Sequence, residues 1–176
     1  MREKSAGVRN DLSEQIANNL IAYMRDEAPL EEKTIGFICN WVKSDAKGKA
    51  KADYEVWDYV LKHYLPNERP ILFRSCPRIT NKSIQCFTGR IYVAERFSEN
   101  HKGHLLICDT AEYLRFVNSA DTEYERSFFP LCECIRKGYH DDNHYFSQAF
   151  YDEYIKEDEY IVRVNNNWLY DLKWNK

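Results

Sequence analysis

No run of eighteen apolar residues occurs in this 176-residue chain, so the sequence offers no helix able to span a bilayer. The opening MREKSAGVRNDLSEQ also lacks an apolar core of signal-peptide length, and a cytoplasmic protein with no membrane partner is expected. The six cysteines, at 39, 76, 86, 108, 132 and 134, have no Cys-x-x-Cys spacing and lie mostly in apolar surroundings. Reduced, buried thiols fit that pattern better than a disulfide framework. Neither Gly-x-Gly-x-x-Gly nor a P-loop is present, which removes the sequence support for a Rossmann site or a nucleotide hydrolase. A net charge of −3 and a pI near 6.0 supply no global basic field toward nucleic acid or anionic lipid, although local basic stretches remain. Internal repeats and low-complexity tracts are absent as well.

What is present is an apolar fraction of 44 % with 15 % aromatics, enough for a folded core. Residues 11 to about 65 read as helical. Leu12, Ile16, Leu20 and Met24 recur every four residues beside Ala17 and Ile21, and Pro29 ends the pattern. TIGFICNWV follows, then the lysine-rich Lys43 to Lys51, read as a solvated loop that could also touch phosphates or an acidic partner. DYEVWDYVLKHYL puts Tyr54, Trp57, Val60, Leu61 and Tyr64 on one face, with Asp53 as N-cap and Pro66 as stop.

Beyond PNERP the texture changes. ILFRSC, SIQCFTGRI, HLLICDT, LCECI and YIVRV read as strands, and VAERF and AEYLRFV as single helical turns or short helices. The expected class is α+β, with residues 1–66 forming a helical lobe and 67–176 a strand-rich lobe of one compact domain.

Three acids precede the last apolar strand. If Tyr160 to Val164 is extended back to Glu157, Glu157 and Glu159 share one face and Asp158 takes the other, the two glutamates roughly 6 to 7 Å apart. Such a pair could serve one bound substrate, or it could be a solvated acidic edge that discourages strand aggregation. A second cluster, Cys132, Cys134, His140 and His144, offers four soft or borderline ligands for a tetrahedral zinc. The alternative is a short strand in which Leu131, Glu133 and Ile135 alternate with the cysteines. The histidines at 63, 101 and 104 show no partnered nucleophile in the sequence.

One ordered series ties several of these segments together. Arg74 ends the apolar PILFRSC; SIQCFT runs into a turn with Val93, Ala94 and Phe97; and Glu157-x-Glu159 precedes YIV. In that order the series resembles the mono-ADP-ribosyltransferases of the arginine–serine–glutamate class, over residues 66 to 164. Leu72, Phe73, Arg74 and Ser75 stand where that family commonly reads Leu-Tyr-Arg-Gly. Cys86, Phe87, Thr88 and Gly89 stand where it reads Ser-Thr-Ser, a departure in which only Thr88 keeps a hydroxyl and Ser83 lies too early.

The resemblance implies a mixed β-sandwich with helices covering one side of an NAD cleft, and NAD+ as co-substrate. Glu159 would be the catalytic carboxylate and Glu157 the residue that orients the acceptor and takes its proton. Arg74, with Ser75 beside it, would grip the pyrophosphate or adjoining ribose, its alternative being an ion pair with an acid such as Glu68. Thr88 would steady Glu159 or the ribose, unless it is only a strand former. Phe97 would wall the nicotinamide pocket if it is not core, and the same holds for Phe87. A tyrosine-rich loop, HYFSQAFYDEY, would present Tyr151 and Tyr154 to the acceptor if these rings do not simply pack. That acceptor would be an arginine of a host or target protein, with nucleic acid as the alternative. A phage or bacterial effector or toxin is the implied setting. A non-catalytic binding module, perhaps holding zinc, is the reading from another class.

Overall fold

The computed structural model describes residues 3–45, 48–98, 100–112 and 127–174. Three helices come first: α1 (Glu3–Met24), α2 (Glu32–Lys43) and α3 (Lys51–His63). The four-residue stripe of α1 buries Ile16, Ala17, Leu20 and Ile21 and leaves Leu12 exposed. Asp53 lies one turn inside α3 instead of capping it, and its carboxylate accepts the Ala50 N–H (2.6 Å), satisfying one of the donors orphaned at the helix start.

The strands are β1 (Ile71–Cys76), β2 (Ile84–Thr88), β3 (His104–Asp109), β4 (Phe128–Phe129), β5 (Glu159–Arg163) and β6 (Tyr170–Lys173). Between them lie α4 (Ile91–Arg96), α5 (Leu131–His140) and α6 (Gln148–Tyr154). The class is α+β. Among the described residues the strands form one antiparallel sheet in the order β4-β5-β2-β1-β3-β6, in place of the mixed sandwich expected. No described helix is long and apolar enough to cross a membrane.

Alternation along β2 and β5 sends Ile84 and Ile161 to one face, where they join α1, α2, α3, α5 and α6 in the larger core. Phe87 and Val162 go to the other face, with Leu72, Leu106 and Phe128. Trp57, fully buried, sits at the centre of the larger core. Its ring centroid lies 5.2 Å from that of Phe37, 5.4 Å from Trp41 and 5.4 Å from Phe129, so it joins α2 and α3 to the sheet.

Three local expectations are corrected. LCECI is the first half of α5, because Leu131, Cys134, Ile135 and Gly138 bury at helical spacing, and Pro130 suits a helix start. The tyrosine-rich loop is largely α6, capped by Ser147, whose hydroxyl accepts the Phe150 N–H. The strand β5 starts only at Glu159, since Ile155–Glu157 form a 3-10 turn and Asp158 is left-handed (φ 49°, ψ 49°). VAERF lies mainly in α4, whereas AEYLRFV falls largely outside the described residues.

Candidate active site

β1 and β3 pair at six positions and β2 and β5 at five, yet β1 and β2 meet at one, Phe73 opposite Thr88. Consecutive residues Phe73–Ser75 and Ile84–Thr88 all line a cavity of about 400 Å³. In an intact sheet neighbouring residues face opposite sides, so lining by both parities marks an opened seam. Arg74 belongs to that seam: its Nη1 donates to the Cys86 carbonyl (2.7 Å), while its buried Nε has no partner among the described residues. The ion pair with Glu68 considered from the sequence gives way to this contact.

Thr88 lies directly opposite Glu159 in the β2–β5 register, so both side chains project toward the helices. Thr88 Oγ1 accepts the Arg90 N–H (3.2 Å), leaving its hydroxyl proton for an acceptor in the cavity. From α2, Trp41 Nε1 donates to Glu159 Oε1 (3.2 Å). The Cys86 thiol lies beside Glu159, and burial together with that carboxylate's charge pushes the thiol well above its usual range. Cys86 is therefore a neutral thiol at this site and a poor nucleophile.

Glu157 reaches the same cavity from the 3-10 turn, not from an extended strand. Its turn is pinned by a contact that the sequence does not advertise. The Asp158 carbonyl accepts the Gly89 N–H (3.2 Å), and the Asp158 carboxylate lies 3.5 Å from Arg90 Nε. A Cβ on Gly89 would meet Asp158 Oδ2 at 2.5 Å, so a larger residue there would have to displace the Asp158 carboxylate.

The cavity carries both signs of charge, with Glu157, Glu159 and Asp45 as its carboxylates and Arg74, Lys82 and Lys49 as its cations. Lys49 comes from the stretch read as a solvated loop, but its ammonium lies 4.0 Å from the Trp41 ring centroid. Burial, and then repulsion from Glu159, raise the pKa of Glu157, with Arg96 and Lys49 opposing. A carboxyl with a raised folded-state pKa costs the native state stability as pH rises from its unfolded value through the folded one. The cost persists above that window. Glu157→Gln should therefore melt at a higher temperature than wild type at pH 7, with the gap closing near pH 4; equal melting temperatures at both pH values would contradict it.

Ser75 and Phe97 complete the sequence-derived set in the cavity. Ser75 Oγ accepts the Trp174 indole N–H (3.0 Å), and Phe97 is an exposed rim residue, not core. Phe87 is both core and lining. Tyr151 and Tyr154 do not line the cavity. Tyr151 stacks on Tyr139 (4.2 Å, 16°) and Tyr154 packs on Phe150 (4.8 Å), so the packing alternative describes them.

The zinc cluster does not assemble. Two residues apart on α5, Cys132 turns to Asp158 and Tyr160, while Cys134 enters the larger core, where burial pushes its thiol up to about 12. His140 and His144 are exposed, and no three potential ligands among the described residues converge on one point.

Sequence reasoning missed Trp41, Lys49, Lys82 and Asp158. An aspartate between two glutamates was a weak hint of a left-handed turn, since Asp tolerates that conformation better than most residues. Compared with protein-family models, curated proteins and solved structures, the chain matches none.

Proposed function

We propose that the protein is an NAD-dependent mono-ADP-ribosyltransferase that moves ADP-ribose to an arginine of a target protein and releases nicotinamide. One observation carries the reading: Arg74, Thr88, Glu157 and Glu159, distant in sequence, converge on a single seam cavity with Thr88 opposite Glu159. Cations beside a carboxylate pair suit a ligand that joins a pyrophosphate to a ribose and a positively charged ring.

In this reading the bond between nicotinamide and ribose breaks with its electron pair leaving on nicotinamide, which departs neutral. Positive charge develops at the ribose carbon, as in glycoside cleavage. Glu159, held by Trp41, is the fixed negative charge that stabilises it. The acceptor guanidinium nitrogen then bonds to that carbon and its proton passes to Glu157. Because Glu157 must be ionised, the acid limb of the rate profile is expected above the ordinary carboxylate range.

Arg74 would hold the pyrophosphate through its planar fork. Arg74→Lys keeps the charge and loses the fork, so the KM for NAD should rise about tenfold or more with a smaller change in kcat. Release of labelled nicotinamide in the presence of a cell lysate measures both constants. Protease or nuclease digestion of the ADP-ribosylated product distinguishes a protein acceptor from a nucleic acid. An unchanged KM would remove Arg74 from the NAD site, and no nicotinamide release by the folded wild type would overturn the reading.

A further inference from the structure

The larger core holds two buried indoles whose N–H groups meet different fates. Trp57 Nε1 is buried with no hydrogen-bond partner among the described residues, as suits a ring present for its bulk. Trp41 is almost as deeply buried, yet its N–H is aimed out of the core and into the cavity, at Glu159 Oε1. Its ring has little freedom to turn away. Tyr54 and Trp57 contact it edge-on at 5.6 and 5.4 Å, and Phe37 lies at 6.4 Å. An indole N–H can only donate, so it favours the acceptor form of the carboxylate and fixes which way that group faces.

We propose that Trp41 is a positioning residue: through its indole N–H, helix α2 sets the orientation of the Glu159 carboxylate in the cavity. This rests on the transferase reading for its catalytic consequence, but the contact itself does not. The carboxylate is carried by the first residue of β5, directly after the left-handed Asp158, where the strand ladder alone constrains it least. The helical segment thus contributes a polar group to the reacting end of the site as well as walls.

Two measurements test it. In the first, the indole N–H resonance of Trp41 is followed by NMR in wild type and in Glu159→Gln, with Trp57 as internal reference. The Trp41 signal should move and the Trp57 signal should stay. The second is Trp41→Phe, which keeps an aromatic ring among Phe37, Tyr54 and Trp57 but deletes the donor. Loss of a hydrogen bond to a charged group predicts a fall in kcat of about 10- to 100-fold with the KM for NAD within about twofold.

A Trp41 resonance indifferent to Glu159→Gln overturns the inference, whatever the protein turns over. So does a Trp41→Phe enzyme with wild-type kcat, while a rise in KM alone would mean that Trp41 is only a wall. If the folded wild type cleaves no NAD, the transferase reading falls and the resonance alone decides whether Trp41 orients Glu159.

Discussion

On the proposed transferase reading, Glu159→Gln is expected to reduce NAD cleavage about 10²- to 10³-fold while leaving the fold intact. The substitution is nearly isosteric, and an amide oxygen can still accept the Trp41 N–H that Glu159 Oε1 now accepts. What it removes is a fixed charge in a partly buried cavity, at the point where the proposed reaction develops positive charge. Such preorganised electrostatics commonly account for two to three orders of magnitude per group. Nicotinamide release and a thermal melt on the same preparation check the two halves of the expectation. Substantial residual cleavage by a folded variant would detach Glu159 from the chemistry.

Trp57→Ala should produce the largest loss of stability, about 3 to 5 kcal/mol, as expected for truncating a large, fully buried aromatic. Its ring touches Phe37 and Trp41 on α2 and Phe129 on β4, so the cavity left behind has three rigid neighbours that cannot easily collapse into it. Denaturant unfolding measures the loss. The same change should weaken the site indirectly, because Trp41 would lose a contact that holds its indole toward Glu159. A loss under about 1 kcal/mol would mean that helices and sheet are joined elsewhere.

Much of the fold was legible because burial follows period. The four-residue stripe of α1 and the aromatic face of α3 predicted helices, and ILFRSC corresponds to β1 residue for residue. LCECI misled because five apolar-rich residues fit either period, and its helical pattern emerges only when Gly138 is added. At Glu157-Asp158-Glu159, one left-handed residue broke the alternation that extended geometry would impose. Both carboxylates still reach one cavity, by a turn in place of a strand.

The candidate site was legible where a residue's own strand presents it, as with Arg74, Thr88 and Glu159. It was not legible where tertiary docking supplies the group. Nothing local in TIGFICNWV distinguishes Trp41, an indole that reaches across 118 positions to Glu159, from an ordinary core residue. Nor does any motif announce that β1 and β2 pair at a single position, the feature that opens the cavity. The lysine-rich stretch showed the same limit, since Lys49 finds its aromatic partner only after α2 and α3 have packed.

The central claim is that the seam between β1 and β2 takes NAD with its pyrophosphate at Arg74 and its nicotinamide ribose at Glu159. A crystal structure of the Glu159→Gln protein with NAD tests this most directly. The account predicts pyrophosphate oxygens within hydrogen-bond distance of the Arg74 guanidinium, and the nicotinamide ribose beside Thr88 and the substituted side chain. NAD bound elsewhere, or an empty seam at saturating NAD, would contradict it.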